Sequence, residues 1–270
     1  MTISPFVCDL SLDRLRPFLP VRYTEMDPAD LHVLADAGKD ADALFVVGYR
    51  LEMGTGVARN LERAIAWYER AAGRGQACAA FNVGLILAEG PETVRDDIRA
   101  ARWICYAAER GFPDAAFAMG TFFQSGRGLA KNDHEAVHWY RVAAKQGQRT
   151  AKLNLGVLLV ASETVKPKPL EAFDLFRELA KAGHPGGMTN LGVLYDRGWG
   201  TAENPGMAVK WLLEAAEHAQ PEAMVQLARM HAEGRGVAQD PGAAADWLNR
   251  AAELGSEEAS WLLGEWLVAG

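Results

Sequence analysis

Long apolar runs are missing from this 270-residue chain. No segment approaches the roughly 18 consecutive apolar residues that cross a bilayer as a helix. Met1-Thr-Ile-Ser-Pro-Phe-Val-Cys8 has neither a basic start nor a long apolar stretch, so it makes a poor signal peptide. Cysteine is scarce: Cys8, Cys78 and Cys105 are an odd number at no metal-type spacing. That points to reduced thiols in a cytoplasmic protein, with a Cys78–Cys105 disulfide as the alternative. Basic residues are in deficit, 28 Lys and Arg against 35 Asp and Glu, and the net charge of −7 disfavours nucleic acid or an anionic membrane as the main partner.

What the chain does have is periodicity. Its 49% hydrophobic and 23% charged residues suit a folded, water-soluble protein, and internal self-similarity is the first thing to seek. A small residue recurs every 36 positions at Gly48, Gly84, Gly120, Gly156, Gly192, Ala228 and Gly264. Tryptophan keeps the same frame at Trp67, Trp103, Trp139, Trp211 and Trp247, with Leu175 in the one remaining slot. Alanine does so at Ala64, Ala100, Ala136, Ala172, Ala208 and Ala244.

Each unit reads as a helix hairpin. In the first helix, here the A helix, residues such as Ala79, Val83, Gly84 and Leu87 share one face. Glycine turns end it, as in Gly126-Arg-Gly128 and Gly234-Arg-Gly236. The second, or B helix, opens at Asn60, Asp96, Asn132, Asn204 and Asp240, whose side chains can accept the unpaired backbone N–H groups of a first turn. Pro169, Pro205 and Pro241 stand at first helical positions, where a missing N–H costs nothing. The B helix closes with Ala-Ala-x-x-Gly, as in Ala143-Ala-Lys-Gln-Gly147. The second and fourth units lack the glycine turn, and the fourth lacks the N-cap, so less regular turns are expected there.

These motifs carry a resemblance. Stretches such as Ala151-Lys-Leu-Asn-Leu-Gly156 and Ala64-Ile-Ala-Trp-Tyr-Glu-Arg-Ala-Ala72 make residues 41 to 270 similar to the Sel-1-like repeat family, kin of the tetratricopeptide repeats. The resemblance implies an all-α, right-handed α-solenoid or superhelix. Residues 1–40 would form an N-terminal capping region, 41–256 six repeats, and 257–270 a terminal helix closing the stack. Asp27-Pro28 is expected to open a capping helix running to Gly38. Relatives serve as adaptors, secretion-associated regulators and immunity partners of secreted toxins, so the resemblance implies a protein or peptide partner.

Numbered from the landmark small residue, the A-helix stripe at −6, −3, −2, +1 and +5 lies opposite the packed one. In the architectures this chain resembles, that stripe lines the concave wall. It supplies the candidate partner-binding groove: Phe45, Tyr49, Phe81, Asn82, Leu85, Phe117, Thr121, Leu153, Asn154, Val157, Asn190, Val193, Arg197, Gln226 and Arg229. The aromatics at −3 can pack within the stack or meet a ligand. Asn82, Asn154, Asn190 and Gln226 form an amide ladder that can bind a peptide backbone or the chain's own turns.

No catalytic group, cofactor or metal is expected. His134-Glu-Ala-Val-His138 matches the zinc-protease motif, and a zinc hydrolase using His134, Glu135 and His138 is the enzymatic alternative. Against it, both histidines fall in repeat slots that vary freely, and no third ligand is placed. No Ser-x-x-Lys occurs that would support penicillin-type acylation. The function expected is a non-catalytic scaffold or adaptor; an immunity protein against one cognate toxin is the alternative.

Overall fold

The computed structural model of the protein describes residue 23, residues 25–37 and residues 40–269, the side chains of 266–269 excepted. The readings made for the leader segment, for Cys8 and for Gly38 lie outside the described residues. Within them the chain is helical, with no strand. A lone helix α1 (Pro28–Asp36) precedes six hairpins and a final helix. The A helices are α2 (Ala41–Met53), α4 (Ala77–Glu89), α6 (Pro113–Ser125), α8 (Arg149–Ala161), α10 (Pro185–Arg197), α12 (Pro221–Glu233) and the terminal α14 (Glu257–Ala269). The B helices are α3 (Leu61–Ala72), α5 (Asp97–Glu109), α7 (Asp133–Lys145), α9 (Pro169–Lys181), α11 (Pro205–Glu217) and α13 (Pro241–Glu253). Each A helix packs on its own B helix, which makes the protein an all-α solenoid. The chain divides into two compact units between Gln148 and Arg149, three hairpins falling in each.

Local chemistry explains the boundaries. The side chains of Asn60, Asp96, Asn132, Asn204 and Asp240 each accept first-turn backbone N–H groups of a B helix, as the N-cap rule requires. Asp27 does the same for α1. The fourth hairpin has Lys168 at that place, with no side-chain cap. Its turn is held instead by Ser162 Oγ, which accepts from the N–H groups of Thr164 and Val165 at 3.2 and 3.1 Å.

The landmark small residues decide how each hairpin closes. In the first five hairpins the small residue is a glycine that faces a large residue 20 positions later. A Cβ on Gly48 would stand 2.8 Å from the Tyr68 ring, one on Gly84 2.5 Å from Ile104, and one on Gly120 2.4 Å from Tyr140. Gly156 meets Phe176 and Gly192 meets Leu212 at similar distances. After the first hairpin, where Trp67 is buried beside Tyr68, the recurrent tryptophan is the less buried member: Ile104, Tyr140 and Phe176 are wholly buried, while Trp103, Trp139, Trp211 and Trp247 stay half-exposed.

The glycine turns also join one hairpin to the one before. The second glycine sits with positive φ directly on the carbonyl that opens the previous B helix. A Cβ on Gly128 would be 2.0 Å from the Asp97 oxygen, one on Gly200 2.2 Å from Pro169, and one on Gly236 2.5 Å from Pro205. Only glycine tolerates both the conformation and the approach. The residue between the glycines adds a bridge where it is arginine. Arg127 Nε donates to Asp97 at 2.8 Å, with Nη2 on the Ala88 carbonyl. Arg235 Nη2 donates to the Asp196 carbonyl at 2.8 Å. The second and fourth turns lack these parts.

At the N-terminal end, α1 packs on α2 through Leu31 and Ala35, both fully buried. The buried Arg50 guanidinium of α2 donates to the carbonyls of Tyr23 and Met26, at 3.0 and 2.7 Å, which fastens the segment leading into α1.

Candidate functional site

In the first unit, the candidate stripe keeps little surface. Phe45, Phe81, Asn82, Leu85 and Phe117 are each buried, at 2–3% exposure, whereas Tyr49 and Thr121 are half-buried. The aromatics at −3 pack inside the chain: the Phe45 ring lies 5.3 Å from Tyr68, Phe81 lies 5.1 Å from Phe112, and Phe117 lies 5.8 Å from Tyr140. Such pairs stabilise beyond their area alone. Asn82 hydrogen-bonds the Tyr68 hydroxyl, which itself donates to Glu52 Oε2 at 2.7 Å. Burial pushes the Glu52 carboxyl up from its ordinary range, opposed by the Tyr68 hydrogen bond and the nearby Arg59 charge.

In the second unit, Asn154, Val157, Asn190 and Val193 are buried, while Leu153, Arg197, Gln226 and Arg229 retain surface. Four of the candidate residues meet here. Val193 and Arg197 of α10 and Gln226 and Arg229 of α12 line one cleft of about 220 Å³. Leu212 and Met230 give it an apolar side, and Asp196, Glu233 and Arg235 complete its rim. The remaining candidate positions do not line it.

Charge in this cleft is largely paired. Arg229 donates to Glu258 at 2.6 Å, and Arg235 to Glu203 at 3.1 Å. Arg235 also stands 3.1 Å from Asp196 Oδ1, without the alignment of a hydrogen bond. Burial raises the Asp196 carboxyl, while Arg235 and Arg197 pull it back. The Arg197 guanidinium carbon lies 5.0 Å from the Trp199 ring, within reach of a cation–π contact. Of the other lining residues, Asp196 lies on α10 at +4, outside the stripe, Arg235 lies on the turn after α12, and Glu233 holds the stripe's +5 position on α12 without having been among the candidates.

A second cleft, of about 480 Å³, opens in the first unit between α3, the irregular turn at Thr93–Asp96 and α5. Its mouth is crossed by the Arg99–Glu69 ion pair at 3.0 Å. It forms where the second hairpin lacks the glycine that elsewhere lays the turn directly on the preceding B helix.

The zinc-protease motif gains no support from geometry. His134 and His138 are both exposed on α7, and the His138 ring stacks edge-on with Trp139 at 5.3 Å. Among the described residues, no three His, Cys, Asp or Glu side chains are grouped to hold a metal ion. Cys78 and Cys105 carry free thiols whose pKa burial raises, the opposite of an activated nucleophile. No described helix is long and apolar enough to cross a membrane.

Successive helix hairpins, each packed on the next within its unit, define a helical-repeat protein. The chain belongs to the Sel1 repeat family: the Sel1 repeat model matches residues 41–76, 79–112, 113–148, 150–184, 185–219 and 221–256. No curated protein matches it. Among solved structures, it is similar to a protective antigen of uropathogenic Escherichia coli displaying an SLR fold, at 28% identity and a TM-score of 0.74. That match covers 89% of this chain and 51% of the antigen, so the chain spans about half the antigen's length. It is also similar to a Sel1 repeat protein of Oxalobacter formigenes, at 30% identity and TM-score 0.65, covering 83% of this chain and 91% of the other. An immunity protein of Pseudomonas aeruginosa gives 23% identity and a TM-score of only 0.44, over 69% of this chain and 68% of the other.

Proposed function

We propose that the protein is a non-catalytic interaction module that binds another protein, or an extended peptide from one, through the A-helix positions that keep surface. These are Tyr49 and Thr121 in the first unit and Leu153, Arg197, Gln226 and Arg229 in the second. The observation that carries this reading is the α10–α12 cleft, which collects Val193, Arg197, Gln226 and Arg229 from two consecutive A helices. Convergence of apolar wall and polar groups in a preformed concavity is what binding sites present. The buried candidates support the wall from behind; their substitution would probe folding rather than binding. In this reading the partner is neither nucleic acid nor membrane, consistent with the charge balance, and the protein acts in the cytoplasm.

The test is site-specific photocrosslinking in the native cell. A photoreactive residue is placed in turn at Tyr49, Thr121, Leu153 and Gln226, with Glu69 of α3 and Arg141 of α7 as controls on the B helices. Crosslinks to a protein from the first set, absent from the controls, support the proposal. Crosslinks from Glu69 and Arg141 alone would place binding on the B-helix side and overturn it. One partner held at fixed stoichiometry would mark a dedicated inhibitor such as an immunity protein, and several weaker partners an adaptor.

A further inference from the structure

Of the tryptophans whose side chains are described, Trp261 alone is exposed, at 63%. It stands on the terminal helix α14 in the exposed series Glu257, Ser260, Trp261, Gly264 and Glu265. These are positions i, i+3, i+4, i+7 and i+8 of one helix, which share a face. Elsewhere α14 is anchored: it packs on α13, Ala259 is wholly buried, and Glu258 accepts from Arg229 at 2.6 Å.

The interior hairpins show how this face is covered where a B helix lies on it. Phe45 and Gly48 both meet the Tyr68 ring of α3, and Phe117 and Gly120 both meet Tyr140 of α7. One large side chain thus sits on the glycine and against the aromatic three residues before it. Trp261 and Gly264 hold the same two places on α14, yet no described residue comes within 4 Å of a Cβ at Gly264. A helix that only closes a stack needs a polar outer face. This one sets an aromatic ring and bare backbone at the centre of that face, with a glutamate at either end, which is the pattern of a contact surface.

Charge selects the occupant. Residues 201–270 carry 4 of the 28 Lys and Arg but 11 of the 35 Asp and Glu, so the whole net charge of −7 falls on them. A second copy would bring the same glutamates on its own α14, or else α1, which has Asp30 and Asp36 and no basic residue. Like charges brought face to face oppose both pairings. A basic surface is attracted instead.

We propose that the exposed face of α14 docks a basic amphipathic helix of another protein. The partner helix seats a large apolar side chain on Gly264 and against Trp261, as a B helix does in the interior, and sets Lys or Arg opposite Glu257 and Glu265. This surface is separate from the A-helix wall and the α10–α12 cleft, and it stands or falls without them.

The experiment uses the isotope-labelled full chain and two peptides of the α3 sequence Leu61–Ala72, each cross-linked to hold the helix, since so short a helix is marginal in water. The basic peptide carries E62K and E69K, the acidic one R63E and R70E; both keep the apolar face that presents Tyr68 to Gly48. The readouts are the Trp261 indole N–H and the Gly264 amide resonances. The basic peptide is expected to shift both saturably and to bind at least tenfold more tightly than the acidic one, with the preference shrinking as salt is added. W261A should weaken the basic peptide about tenfold or more. E257Q/E265Q, two exposed changes that leave the apolar centre intact, should narrow the preference between the peptides. Equal affinity for the two peptides, or no saturable shift from either, overturns the proposal. So does a basic-peptide affinity unchanged in W261A, or a preference unchanged in E257Q/E265Q. Movement of the same two resonances on diluting the peptide-free protein would give the face to a second copy and overturn it as well.

Discussion

The Tyr140 ring lies so close to the backbone of Gly120 that a Cβ there would stand 2.4 Å from its Cδ1. At that separation the ring or the helix must move, and Tyr140 is also tied down by its hydroxyl, which donates to Gln124 Oε1 at 2.7 Å. G120L should therefore destabilise the protein by about 1–3 kcal/mol or more through overpacking, and part of the loss should spread to neighbouring hairpins. Gly264 occupies the same frame on α14, but nothing lies within 4 Å of a Cβ built there. G264A should melt no lower than the parent, because alanine is the better helix former by about 1 kcal/mol at most. Thermal denaturation of the two variants checks the pair; equal losses would refute the packing account.

Among the described residues Glu52 is the one buried acidic residue, and burial raises its carboxyl pKa. In the unfolded chain it titrates at the ordinary value of 4.5. As pH rises from there through the raised folded value, the unfolded chain has already released its proton while the folded one still holds it. The unfolded state then binds fewer protons, so stability contributed by this group falls across that window. E52Q keeps an acceptor for Tyr68, as Gln124 does for Tyr140, and has nothing to ionise. Its melting temperature should exceed the parent's at pH 7, with the gap closing as pH falls towards 4.5. A lower melting temperature at pH 7 would show that the charged hydrogen bond outweighs the burial cost.

Ala219 has φ of 55°, while glycine fills the equivalent B-helix terminus at Gly75, Gly111, Gly147, Gly183 and Gly255 with φ of 77–89°. The left-handed region costs an L-residue with a Cβ roughly 1–2 kcal/mol, and part of that gain is returned when glycine loosens the unfolded chain. A219G should raise stability by about 1 kcal/mol, seen as a higher denaturant midpoint at unchanged slope. An unchanged or lower midpoint would mean the strain is absorbed locally.

Arg127 joins two hairpins through the Asp97 carboxylate and the Ala88 carbonyl. R127M removes these bonds while retaining much of the side-chain stem, and should cost about 1–2 kcal/mol. R127K should recover only part, because an ammonium cannot reproduce the fork of a guanidinium. Chemical denaturation compares the three proteins, and full recovery by lysine would reduce the bridge to simple charge.

The helices were legible in the sequence because their determinants are local. Asn60, Asp96, Asn132, Asn204 and Asp240 cap the helices they precede wherever those helices are packed, and a 36-residue period needs no third dimension to be seen. The small landmarks were legible too, but not what each was small for. Pairing Gly48 with Tyr68 or Gly120 with Tyr140 requires the hairpin to be closed. Likewise the second turn glycine read as a local bend, whereas its contact is with a carbonyl 31 residues back in the preceding hairpin.

Exposure belonged to tertiary structure alone. Helical periodicity separates two faces of an A helix, but whether a face is wet depends on its own B helix and on the hairpins beside it. That is why Asn82 and Asn190 share their stripe with Arg197 and Gln226 yet differ from them in burial. It is also why Asp196 and Arg235, which lie outside that stripe, line the cleft. A sequence specifies which side chains can lie together along one helix; only the approach of a second helix decides which are enclosed and which of their polar atoms are left unmet.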